Sequence, residues 1–397
     1  MHRRQFLGAA AAALLARVTQ AESLPSDLRI TRIIGFDLHS RRSKLAGKNA
    51  VRDVHGQGAL DRMARLYTNL GVEAVGRCWK DKESLAALLG KNPFQDFDPG
   101  SRQISSPLGR RTMVLWDLAG KLLNKPVYRL LGGAEAGKVP VYDGSIYFAD
   151  LLPQYEARWQ DRFKEEIDMG LRAGHRGFKI KIGRGHKWMD REAGDARDVE
   201  VVETIRRHAG DDVRLAVDAN NGYDLEGAKR FLDRASDLDV AFFEEPFPEE
   251  VRQCLELKRF IASRSGKTLL ADGEGQDDLA VYRPFVEAKA IDILQGDMNS
   301  FGIEGILAEA AMAEPQGILV APHNWGSLLG FYQQVHVGPA IPNFYAAEHD
   351  PLSNDVLIAE GYEIDGGVCS VPDAPGFGLA INEKRFERVT VNFDLKA

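Results

Sequence analysis

Three short runs decide the fold: Leu215–Asn220 reads LAVDAN, Ala241–Pro246 reads AFFEEP, and Leu269–Gly275 reads LLADGEG. Each is apolar and ends in carboxylates: Asp218, then Glu244 and Glu245, then Asp272 and Glu274. The steps from Asp218 to Glu244 and from Glu244 to Glu274 are 26 and 30 residues. One strand plus one returning helix takes about that length, so the acids fall at the same end of neighbouring parallel strands. Carboxylates converging at one point repel unless a cation lies between them, and hard oxygen ligands suit a divalent ion such as magnesium. Asp272 competes with Glu274 for the third ligand position, because two residues apart on a strand share a face; Glu245 competes with Glu244.

One unit upstream, GFKIKIG places Lys179 and Lys181 on one face of a strand whose other residues, Phe178, Ile180 and Ile182, are apolar. Buried ammonium groups need partners, and a neighbouring cation is expected to lower the pKa of Lys181 and make it a base. Further on, DILQGD ends at Asp297, LVAPHNW carries His323, and FYAAEH carries Glu348. An Asp and a His on adjacent strand ends can bond, the carboxylate fixing the imidazole tautomer. A substrate held between Lys181 and His323 meets a proton carrier on each face, as racemisation requires and as dehydration requires with one base and one acid.

Eight candidate strands run from Val139 onward: Val139–Gly144, Gly177–Ile182, Val213–Asp218, Val240–Glu245, Thr268–Asp272, Ile291–Gln295, Gly317–Ala321 and Asn343–Glu348. Amphipathic segments between them predict an α/β fold, a (β/α)8-type barrel with its active site at the C-terminal strand ends. Before it, an α+β pattern spans residues 22–136, with a strand at Leu28–Leu38, two strand-like pieces in Met63–Gly76 around the turn at Asn69–Gly71, and helices at Asp81–Leu89 and Pro107–Leu123. The stretch His39–Asp61, with Arg41, Arg42, Lys44, Lys48 and Arg52, reads as a solvated loop or as a flap closing over an anionic substrate. The barrel is expected over 137–354 and a returning segment over 355–397.

The chain has 397 residues and a net charge of −7, which argues against nucleic-acid binding. Cys78, Cys254 and Cys369 form no metal or disulfide pattern. Residues 1–21 open with Arg3-Arg4-Gln5-Phe6-Leu7, continue through alanine and leucine, hold no acid and end in Thr19-Gln20-Ala21; they look like a twin-arginine export signal, which implies a periplasmic or otherwise exported protein. No later segment has the ~18 apolar residues of a membrane span.

These motifs, together with LNKPVYRLLGG (Leu123–Gly133), VDANNGY (Val217–Tyr223), GEG (Gly273–Gly275), PHNWG (Pro322–Gly326) and AEH (Ala347–His349), resemble the mandelate racemase/muconate lactonizing enzyme group of the enolase superfamily. The resemblance covers roughly residues 28–390 and implies a capping domain on a modified barrel. It implies that Asp218, Glu244 and Glu274 hold Mg²⁺, with Asn220 and Glu245 in support. It implies that Lys181 abstracts a proton, that Lys179 contacts the substrate carboxylate, and that Asp297 and His323 form the dyad of the mandelate racemase subgroup. Glu348 matches the strand-eight acid that bonds the substrate carboxylate. The expected reaction is removal of the proton alpha to a small carboxylate, as in an acid-sugar dehydratase. The rivals are a racemase or epimerase using the same pair, a glycoside hydrolase, and a non-catalytic sugar-acid binding protein. A homo-oligomer is the expectation for the group.

Overall fold

The computed structural model describes residues 23–397 except 79, 102, 105 and 265; the export-signal segment lies outside the described residues. The chain opens with an antiparallel sheet of β1 (Ile30–Ala46), β2 (Gly56–Thr68) and β3 (Glu73–Arg77). Alternate residues of β1 such as Phe36 and Leu38 are buried with Met63 and Leu66. The last strand of the chain, Thr390–Lys396, pairs antiparallel with β1, Arg32 opposite Lys396. Helix α1 (Met113–Leu123) packs on this sheet and buries Trp116. It begins at Met113 and not at Pro107, because Gly109 sits in the left-handed region and interrupts the helical turn. Thr112 Oγ1 and Trp116 Nε1 both donate to Glu304 Oε1 (2.5 and 3.0 Å), which fastens this region to the next.

The expected loop over residues 39–61 is shorter in the structure. β1 continues to Ala46 and β2 starts at Gly56. The strand holds its two buried charges because both have a buried partner: Arg42 forks Asp350 at 2.7 and 2.5 Å, and Lys44 meets Glu166 at 3.0 Å. Residues 47–55 form the actual connection, and they are docked. Phe148 N donates to Lys48 O (2.9 Å) and Trp188 Nε1 to Asn49 O (2.7 Å). Asn49 Oδ1 accepts from Val51 N and Arg52 N, closing the turn internally.

From Lys138 the chain alternates strand and helix: β4 (Lys138–Ile146), α2 (Trp159–Arg172), β5 (Gly177–Lys181), α3 (Arg191–Ala209), β6 (Arg214–Asp218), α4 (Leu225–Arg234), β7 (Val240–Glu244), α5 (Val251–Ser263), β8 (Leu269–Asp272), α6 (Arg283–Glu287), β9 (Ile293–Leu294), α7 (Met298–Ala313), β10 (Leu319–Val320), α8 (Leu328–Val337) and β11 (Ala347–His349). Strands β4 to β10 pair in sequence order, each parallel to the next, and β11 pairs parallel to β4. A single parallel bridge, Val320 to Phe344, joins β10 to the segment entering β11, with Val320 N bonded to Asn343 O and Tyr345 N to Val320 O (both 2.8 Å). The strands are buried on both faces, as parallel strands flanked by helices are: all five residues of β5 are buried. Successive strands contribute Tyr142, Ala216, Phe242, Ala271, Ile293 and Ala321 to one apolar cluster below the strand ends.

The three cysteines are free and buried. Among the described residues no helix is long and apolar enough to cross a membrane.

Candidate active site at the strand ends

Register carries the charged side chains to one level. Lys181 on β5 is the partner of Asp218 on β6, and Asp218 is the partner of Glu244 on β7. Glu274 follows β8 by two residues. Asp218, Glu244 and Glu274 each offer a carboxylate oxygen within 4.8 Å of the others, so the expected ligand triad converges. Asp218 and Glu244 are almost wholly buried, which is costly for anions without a cation. The donor set is all carboxylate oxygen, the chemistry that Mg²⁺ takes.

Asp272 does not join this triad, contrary to the face-sharing expected of residues two apart. The strand ends at Asp272, and Gly273 has φ +143, where a side chain would press on Gln295 N at 2.7 Å. The turn separates the two acids. Asp272 lies instead with Glu245 and Glu249 in a second carboxylate cluster. Glu245 also leaves the line of Glu244, through a left-handed backbone (φ 42). Asn220 Nδ2 donates to Glu245 Oε2 (3.1 Å), while Asn220 N donates to Asp218 Oδ1 (2.8 Å), so Asn220 ties the two clusters together.

Both lysines are buried among these acids. Lys179 Nζ lies 2.6 Å from Glu244 Oε1 and 2.8 Å from Glu348 Oε1. Lys181 Nζ bonds Asp218 Oδ2 directly. The expectation of a lowered Lys181 pKa is overturned. Burial works in that direction, but the Asp218 carboxylate outweighs it and raises the ammonium above its ordinary value. Lys179 is raised likewise: burial opposes, and Glu244 and Glu348 win. Burial would raise Asp218 as well, but the two lysines hold it below the usual carboxylate range. Glu244 goes the other way, pushed up by burial and by the nearby Asp218 charge.

The dyad stands beside Glu274. Asp297 caps α7, its Oδ1 accepting from Ser300 N at 2.7 Å, and its Oδ2 lies 2.8 Å from His323 Nδ1. His323 Nε2 faces Glu274 Oε2 at 3.0 Å. Burial opposes a charge on His323, but Glu274 and Asp297 raise its pKa well above the ordinary value. The same contact, against burial, holds Glu274 well below the carboxylate range. Glu348 accepts from Asn324 N at 2.9 Å and lies so near Gly144 that a Cβ there would meet its Oε1 at 2.2 Å.

Sequence reasoning missed two groups. Gln295 Nε2 donates to Glu244 Oε2 at 2.6 Å; a polar residue at the end of an otherwise apolar strand was its signal. His55 reaches the site from the docked connection and bonds Trp325, and nothing in its polar surroundings singles it out. His175, His208, His336 and His349 bond one another or neighbours away from the triad.

The family described as Enolase C-terminal domain-like matches residues 162–385. An arabinonate dehydratase of Saccharolobus solfataricus is 31% identical over 279 residues, 69% of this chain and 69% of that protein. A D-galactarolactone cycloisomerase of Agrobacterium fabrum is 30% identical over 300 residues, 72% of this chain and 74% of that protein. Among solved structures, a galacturonate dehydratase from Geobacillus sp., complexed with D-galacturonate and 5-keto-4-deoxy-D-galacturonate, superposes with a TM-score of 0.83 at 29% identity, covering 92% of this chain and 97% of that one. A mandelate racemase/muconate lactonizing protein from Geobacillus sp. Y412MC10, complexed with magnesium/tartrate, gives a TM-score of 0.86 at 29% identity over 94% and 98% of the two chains. With the strand-end constellation and these likenesses in agreement, the chain belongs to the mandelate racemase/muconate lactonizing enzyme group of the enolase superfamily.

Proposed function

We propose that this protein is a magnesium-dependent acid-sugar dehydratase, converting an aldonate or aldarate to a 2-keto-3-deoxy acid. The observation that carries the reading is the convergence of Asp218, Glu244 and Glu274 between two proton carriers, Lys181 and the His323–Asp297 dyad. Mg²⁺ held by the three carboxylates would stabilise the negative charge that develops when the alpha proton leaves. Lys179 and Glu348, bonded to each other, orient the substrate carboxylate. Lys181 takes the alpha proton at Nζ in the amine form, which a cation on Asp218 would favour by drawing on the carboxylate that holds the ammonium in its absence. His323 gives its Nε2 proton to the 3-hydroxyl, the C3–O bond breaks, water departs, and the resulting enol becomes the ketone. Asp297 keeps the imidazole in place through Nδ1.

The test is to incubate the protein with Mg²⁺ and a library of acid sugars and assay for 2-keto-3-deoxy acids. Turnover that chelator abolishes and Mg²⁺ restores supports the reading; unchanged turnover in both Lys181→Ala and His323→Asn contradicts it. The likeness to a cycloisomerase at 30% identity favours one second reading, in which the same pair moves a proton without loss of water. Exchange of the alpha proton for solvent deuterium with no keto acid formed would select it.

Three further parts of the reading rest on the same footing. The parallel strands β4 to β11 close into a (β/α)8 barrel over 137–354, capped by residues 22–136 and by the returning segment 355–397; the shared hydrogen bonds at Val320 support closure. The chain assembles as a symmetric homo-oligomer, which sedimentation would check. Residues 1–21 export the folded enzyme; a mature chain beginning near Glu22 in a periplasmic extract is the expected finding, and an intact Met1 confined to the cytoplasm would contradict it.

A further inference from the structure

Three rings meet above Lys181. His55 lies 4.7 Å from Tyr147 and 5.6 Å from Trp325, and Tyr147 lies 4.6 Å from Trp325, centroid to centroid. Lys181 Nζ sits 5.2 Å from the centre of the Tyr147 ring, so Tyr147 neighbours both His55 and the proton carrier. Trp325 is fixed from its other side by the Arg42 guanidinium, 4.2 Å over its ring and itself clamped to Asp350. Its indole N–H donates to His55 Nδ1 at 3.2 Å. An indole nitrogen can only donate, so His55 Nδ1 must accept, and the ring hydrogen resides on Nε2. Burial, with the charges of Lys181, Arg52 and Arg42, pushes this imidazole down to about 4, consistent with a neutral ring near pH 7. Nε2 is buried and has no hydrogen-bond partner among the described residues. A buried donor left unsatisfied is costly, and an acceptor supplied from outside the chain relieves that cost. The carboxylate end of the substrate is taken up by Lys179 and Glu348, so the acceptor belongs to the far end.

We propose that His55 is a specificity residue whose Nε2–H donates to a hydroxyl oxygen on the substrate chain beyond C3, so that the site selects polyhydroxylated acids of four or more carbons. This rests on the dehydratase reading above. A site built to bond a hydroxyl discriminates against the analogue lacking it, because the donor is then left unpaired.

The experiment compares D-gluconate and D-xylonate with D-glycerate, which keeps the carboxylate, the alpha hydrogen and the 3-hydroxyl but has nothing beyond C3. In His55→Phe, kcat/KM falls about tenfold on the two longer acids, mostly through KM, and stays within about twofold on D-glycerate. His55→Gln, which keeps an acceptor for Trp325 and an N–H, recovers most of the loss. An equal loss on all three acids would mean a merely structural role, and no loss on any would mean no role; either overturns the proposal. Calorimetric binding of the same acids in the presence of Mg²⁺ gives the same comparison if none of them is turned over. A failure of the dehydratase reading is thereby distinguished from a failure at His55.

Discussion

Two carboxylate clusters sit side by side at the strand ends, and acids one or two positions apart, Glu244 and Glu245 or Asp272 and Glu274, fall into different ones. Asp218, Glu244 and Glu274 have Lys179, Lys181 and His323 in contact. Glu245, Glu249 and Asp272 have no lysine, arginine or histidine within ion-pair distance among the described residues. The electrostatic outcome differs accordingly. In the first cluster Asp218 and Glu274 are held below the ordinary range against burial, while Glu244 is raised by burial and by Asp218. In the second, burial raises Asp272 well above it, reinforced by Glu249, and raises Glu245, reinforced by Glu274. Two of the three acids in the first cluster therefore favour the charged form despite burial, because the lysines and His323 offset its cost, and a bound cation would do the same for Glu244. In the second cluster no cation offsets burial, and Asp272 and Glu245 both shift toward the protonated form.

The contrast can be broken in several places. Lys181→Ala removes the proposed proton carrier beside the first cluster and is expected to lower kcat by roughly 10³-fold, within the range that positioned acids and bases contribute. Steady-state rates of keto-acid formation check it. Glu274→Gln deletes a proposed ligand and should weaken Mg²⁺ by more than about 100-fold, since loss of outer partners alone costs roughly 10–100-fold; calorimetric titration reads this directly. Gln295→Leu leaves all three ligands but frees Glu244 Oε2 from its bond, and a weakening of about tenfold is expected in the same titration. Asp272→Asn belongs to the second cluster and should leave Mg²⁺ affinity and kcat within about threefold.

That last variant has a pH signature as well. Asp272 is raised above its ordinary 3.8 in the folded protein, so the folded state holds a proton that the unfolded chain has released. Stability therefore falls as pH rises from about 3.8 toward the raised value. Asp272→Asn removes this dependence. Its metal-free melting midpoint should decline less between pH 5 and 8 than that of the parent; an equal or steeper decline would contradict the assignment.

What was legible in the sequence follows from the same geometry. Strand alternation and regular spacing announce Asp218, Glu244, Lys179 and Lys181, because neighbouring parallel strands keep register and bring the residues level. The dyad was legible because Asp297 and His323 terminate adjacent strands. The split between Asp272 and Glu274 was not, since it depends on the backbone turn at Gly273, where the alternation rule stops applying. The length of β1 was hidden for another reason. Arg42 and Lys44 look like loop residues until their partners, Asp350 and Glu166, are known, and those lie 308 and 122 residues away. The lysine pKa expectation failed because it weighed one ammonium against the other and left out the carboxylate in contact with Lys181. His55 carries no local signal at all; its meaning comes from Trp325, 270 residues away.

The most direct test of the account places a cation by experiment. Mn²⁺ can stand in for Mg²⁺ at oxygen ligands and scatters anomalously, so a crystal grown with it locates the ion without assumption. The account predicts one peak, roughly 2.0–2.3 Å from an oxygen of each of Asp218, Glu244 and Glu274. A peak bound instead by Glu245, Glu249 and Asp272, or no peak at either cluster, would contradict it.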